Sequence, residues 1–108
     1  MASILLLEGD PDVRRLLLIL LADLGHSAAA LDPDEDAPHD IDLLLADPAS
    51  TAHLEQVRRA RARNPVLPIV CMRYLQDDES FRATGPFVHL AKPFTPDALG
   101  AAIELALA

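Results

Sequence analysis

Short apolar blocks at positions 3–7, 42–47, 67–72 and 87–91 alternate along the chain with longer stretches whose apolar residues recur every three or four positions. The blocks suit strands buried on both faces, and the stretches suit helices with one apolar stripe. A further strand is expected at 27–31, although its alanines have little strand preference. The first helix is announced by Asp10-Pro11-Asp12, with Asp10 as N-cap, Pro11 in the first turn and Asp12 near the positive end of the dipole. Its predicted stripe is Val13, Leu16, Leu17, Leu20, Leu21 and Leu24, stopped by Gly25, with Leu18 and Ile19 off the stripe. The acidic stretch 32–40 contains Pro33 and Pro38 and leaves room for a loop with at most one helical turn. Ser50 or Thr51 then caps a helix that turns Leu54, Val57 and Ala60 inward and Arg58, Arg59, Arg61 and Arg63 largely outward, until Asn64-Pro65 ends it. A short helix is expected near 78–83, closed by Gly85-Pro86. Thr95-Pro96 opens the last helix, with Leu99, Ala102, Ile103 and Ala106 facing in.

Strands alternating with helices predict a parallel sheet covered on both sides. Three of the strands end on charged residues. Glu8-Gly9-Asp10 follows the first, Asp47 the third and Lys92-Pro93 the fifth. Open α/β sheets place their chemistry in the crevice above the strand tips, so Glu8, Asp47 and Lys92 are expected to meet there.

Composition narrows the picture. At 108 residues and 51% hydrophobic, the chain is expected to form one domain, residues 1–108, with a single core between two helical layers. The net charge of −8 argues against a broad basic surface for nucleic acid. The lone cysteine, Cys71, excludes an internal disulfide, fits a reducing compartment and reads as core. The start of the chain lacks the features of a signal peptide. The longest apolar run, 16–22, is well short of the roughly 18 residues a spanning helix needs. A soluble cytoplasmic protein without a membrane partner is expected. His26, His39, His53 and His89 show no paired spacing for zinc, and neither a phosphate-cradling glycine loop nor a nucleophile elbow is present, so no enzymatic activity is expected.

In order and at compatible spacing, several pieces resemble the receiver domain of two-component response regulators over essentially the whole chain. They are residues 4–15 (Ile-Leu-Leu-Leu-Glu-Gly-Asp-Pro-Asp-Val-Arg-Arg), Leu24-Gly25-His26, 42–47, 61–70 and Lys92-Pro93-Phe94. The resemblance implies an α/β, flavodoxin-like, doubly wound sheet of five parallel strands in the order 2-1-3-4-5. Its second and fourth helices, those after the second and fourth strands, would be shortened here. It implies that Asp47 accepts a phosphoryl group from a histidine kinase or phosphotransfer protein. An acid pair after the first strand would bind Mg²⁺, together with the acceptor and the main-chain carbonyl two residues on, here Ala49. A hydroxyl after the fourth strand and a lysine, here Lys92, would hold the phosphoryl oxygens, and the Lys92–Pro93 bond would be cis.

Two site positions depart from that pattern. The family's second acid, the principal metal ligand, is Gly9, which leaves Glu8 and Asp47 as metal candidates. Asp10 is either a substitute ligand or, as its Asp-Pro-Asp context favours, the helix cap. The hydroxyl position is Arg73, and the position that often holds a switch aromatic is His89. Counting Glu8 and Asp47 against Lys92 and Arg73 gives zero, so Arg73 and Lys92 are expected to neutralise the acids and leave Mg²⁺ weakly bound or absent; Arg73 as an exposed loop side chain is the alternative. Three functions follow from this. The first is a receiver with an impaired metal and switch site. The second is a phosphorylation-independent pseudo-receiver that docks a partner, an output domain or a second copy through the face of the fourth helix, fifth strand and last helix, where Leu105 and Leu107 are surplus apolar residues. The third, a small-ligand enzyme, lacks any nucleophile and base set.

Overall fold

The computed structural model describes residues 2–32, 34, 35, 38, 40–47, 51–73 and 85–108, with Thr51 and Arg73 in main chain only. Five strands, β1 (Ser3–Leu7), β2 (Ser27–Ala30), β3 (Leu43–Ala46), β4 (Ile69–Arg73) and β5 (Val88–Ala91), form one parallel sheet in the order β2-β1-β3-β4-β5. Among the described residues there are three helices, α1 (Pro11–Asp23), α2 (Thr51–Arg63) and α3 (Pro96–Leu107). This is the doubly wound order expected from the sequence. The short helix expected near 78–83 lies outside the described residues. Between β2 and β3 the chain makes a turn in which Glu35 donates its main-chain amide to the Asp32 carbonyl, while the Glu35 carboxylate accepts from the Asp32 amide.

Alternation along the strands divides the core in two. Ile4, Leu6, Leu43, Leu45, Val70, Met72 and Leu90 face one side, where α1 and α3 cover them with Leu17, Leu21, Leu99, Ala102 and Ile103. Leu5, Leu7, Leu44, Ala46, Ile69 and Cys71 face the other, where α2 brings Val57 and Ala60. The α1 stripe is narrower than its sequence suggests. Leu17 and Leu21 are fully buried, Val13, Leu18 and Leu20 pack at the edge, and Leu16 and Leu24 are exposed along with Ile19. Leu16 lies about 100° around the helix from Leu17, and Leu24 follows the last turn, which explains both departures.

The caps predicted at Asp10 and Thr95 form, and Ser50 lies outside the described residues. The Asp10 carboxylate accepts the amides of Asp12 at 2.9 Å and Val13 at 3.3 Å, and the Thr95 hydroxyl accepts that of Ala98. Gly25, at φ 89°, turns the chain out of α1 in a conformation that other residues rarely adopt. Among the described residues no helix is long and apolar enough to cross a membrane.

Candidate functional site

The tips of β1, β3 and β5 bring Glu8, Asp47 and Lys92 together, as the strand-end pattern predicts. The parallel register pairs Leu7 with Ala46, so the residue after each strand emerges at the same level, and the Asp47 amide closes the ladder on the Leu7 carbonyl at 2.8 Å. The Lys92 ammonium donates to Asp47 Oδ2 at 2.6 Å and to Glu8 Oε2 at 2.7 Å. These side chains are 8%, 14% and 4% exposed respectively, so the ion pairs are shielded from solvent rather than spread over the surface. The second Glu8 oxygen accepts the Asp10 amide at 3.1 Å. The Lys92–Pro93 peptide is cis.

Charge at the site is set by this geometry. Burial acts to lower the Lys92 pKa, but hydrogen bonds and opposite charge from Asp47 and Glu8 outweigh it and hold the amine above the ordinary lysine value. Lys92 is therefore an ammonium throughout the neutral range. Among the described residues, Glu8 and Asp47 share this ammonium.

Asp10 lies beside the cluster, but its carboxylate is directed at the N-terminus of α1, where the two amide bonds hold it. Ala49 lies outside the described residues. Arg73 ends β4, paired in register with Ala91; its side chain, and with it the expected contact to the acids, lies outside the described residues. His89 is half-buried on β5 opposite Cys71, and its Nε2 is buried with no hydrogen-bond partner among the described residues. Among the described residues, no three His, Cys, Asp or Glu side chains group as a metal site would require.

Sequence reasoning passed over His53. It lies on α2, is 3% exposed, and turns Nδ1 to the main-chain carbonyl of Asp47 at 3.3 Å, a bond that needs the proton on Nδ1. Its ring edge also faces Gly9, where a Cβ would stand 3.9 Å from Cε1. One turn on, the Gln56 amide donates to the carbonyls of Asp32 at 2.6 Å and Glu35 at 2.9 Å. The spacing 53, 56, 57, 60 carries the inward face of α2, and its two polar members are what hide the signal from a reading that counts apolar residues.

No protein-family model matches the sequence, and no curated protein sequence matches it. Solved structures do. The chain superposes on the Vibrio cholerae chemotaxis protein CheY4 with a TM-score of 0.83 at 24% identity, covering 99% of both chains. A two-component response regulator from Clostridium difficile gives 0.76 at 20% identity over 99% of this chain and 96% of that one. NtrX from Brucella abortus gives 0.78 at 26% identity over 98% of this chain but 27% of NtrX. The class these define is the flavodoxin-like α/β sheet. Within it, this chain has the fold of response regulator receiver domains.

Proposed function

We propose that the chain is a receiver module of a two-component phosphorelay, with Asp47 as the phosphoryl-accepting residue and a histidine kinase or phosphotransfer protein as donor, acting in the cytoplasm. The observation that carries this reading is the approach of Lys92 to both Asp47 and Glu8 from three separate strand tips. In the reaction a carboxylate oxygen of Asp47 attacks phosphorus as the bond from phosphorus to the donor nitrogen breaks, leaving an acyl phosphate on Asp47 and the donor imidazole free. Lys92, already bonded to the carboxylate, supplies fixed positive charge to the incoming oxygens.

The donor set does not fit the divalent cation that the resemblance implies. Gly9 brings no ligand, Asp10 Oδ1 accepts two amides that hold its carboxylate against the N-terminus of α1, and both Glu8 oxygens already accept hydrogen bonds. Phosphotransfer here is therefore slow and independent of Mg²⁺. Incubation with acetyl phosphate followed by intact-mass measurement tests this. One added phosphoryl group, lost in Asp47→Asn and unchanged by EDTA, is expected.

The sharing of one ammonium by two carboxylates also favours a second reading, a phosphorylation-independent module that docks a partner. It prevails if no donor phosphorylates the wild-type chain. In either case the docking face is the one that includes β5 and α3.

A further inference from the structure

A groove of about 350 Å³ lies where β4 and β5 begin, at the end of the sheet away from the strand tips that carry Glu8, Asp47 and Lys92. Val66, Leu67, Phe87, Val88 and Leu105 line it, and Arg61 is the one charged residue among those that do. Arg61 is a cation without an anion. Its guanidinium donates to the Pro86 carbonyl and its Nε is buried with no hydrogen-bond partner. Among the described residues no carboxylate pairs with it, although the chain holds 17 acidic residues against 9 lysines and arginines. Burial holds its pKa below the ordinary arginine value, with no opposite charge to raise it. Room for the guanidinium comes from Gly85, where a Cβ would collide with Nη1.

We propose that this groove binds a small amphiphilic carboxylate, whose aliphatic body lies on the apolar lining and whose charge pairs with Arg61. A partly desolvated cation beside apolar walls gains most from an anion that brings its own apolar body. One guanidinium offsets one negative charge, so a carboxylate matches it, whereas a phosphate dianion would leave a charge uncompensated over apolar side chains. The volume stands near the lower end of the roughly 300–1,000 Å³ of small-molecule sites, which suits a compact acid rather than a long-chain lipid. Nothing in this depends on the reading of Asp47 as phosphoryl acceptor.

The probe is sodium octanoate, titrated into the full chain and followed in amide proton–nitrogen spectra. Saturable shifts are expected at the amides of Leu67, Val88 and Leu105, with octanol, which has the same body and no charge, binding at least about tenfold more weakly. Arg61→Gln is expected to weaken octanoate by a similar factor and to leave octanol unchanged. Should that variant unfold in circular dichroism, Leu105→Asp takes its place. Leu105 is 66% exposed, so the change spares the core, and the added negative charge is expected to weaken octanoate more than octanol. Equal affinity of the native chain for octanoate and octanol overturns the proposal, as does a folded Arg61→Gln variant that binds octanoate like the native chain. Absence of saturation below about 10 mM octanoate overturns it too, because a built site gives at least millimolar affinity. If the same amides shift with protein concentration alone, a second copy covers the groove and the proposal falls.

Discussion

On one side of the sheet, α1 and α3 bury leucine, isoleucine and alanine against seven apolar strand residues. On the other, the inward face of α2 pairs Val57 and Ala60 with His53 and Gln56, two buried polar side chains whose hydrogen bonds go to loop carbonyls. The first side is held by area removed from water, which is indifferent to the detail of neighbouring loops. The second is held partly by directional bonds to the ends of β2 and β3, so its stability is tied to where those ends lie. The charged cluster at the strand tips closes the same end of the sheet that α2 grips.

The sharpest break of this contrast comes from the cluster. Lys92→Met removes the ammonium that bonds both shielded carboxylates and is expected to cost about 4 kcal/mol in urea unfolding at neutral pH. Adding Glu8→Gln should recover part of it. Because the folded-state Lys92 pKa is raised, its stabilisation is whole below the unfolded lysine value and is lost only as pH rises through the folded one. The cost of Lys92→Met should therefore stay constant from about pH 6 to about pH 9 and shrink above about 10.5. Leu21→Ala, on the apolar side, is expected to cost about 3 kcal/mol, with no change in amide exchange at Asp32 and Glu35 beyond that of global unfolding. Gln56→Ala should cost less, about 2 kcal/mol, yet speed exchange at Glu35 locally, which distinguishes the two sides by pattern rather than size. Smallest is Asp10→Ala, about 1 kcal/mol for the lost cap. It should leave Mg²⁺ titration of the native chain unchanged, whereas a change would place Asp10 among the ligands.

The apolar side was legible in the sequence because area burial writes itself as periodicity. Positions 17, 21, 99, 102 and 103 are apolar at helical spacing, and Asp10-Pro11 and Thr95-Pro96 mark the helix starts. The strand tips were legible for a related reason, since a charge at the end of an apolar block has one place to go. Glu8, Asp47 and Lys92 met as expected. His53 and Gln56 were not legible, because their partners are main-chain carbonyls that carry no residue identity and lie 6 to 24 positions away. Nor was the exposure of Leu16 and Leu24, which depends on where the stripe is centred rather than on whether it exists.

Arg61 is the far end of the same helix, and its guanidinium donates to the Pro86 carbonyl at 2.5 Å, over the glycine at 85 whose φ of 114° and lack of a Cβ give that guanidinium its room. Eight residues separate Arg61 from His53, about 12 Å of rigid rod. The rod is thus pinned at one end to the exit of the third strand and at the other to the entrance of the fifth. A torque applied at either pin reaches the opposite rim of the sheet without any intervening joint to absorb it.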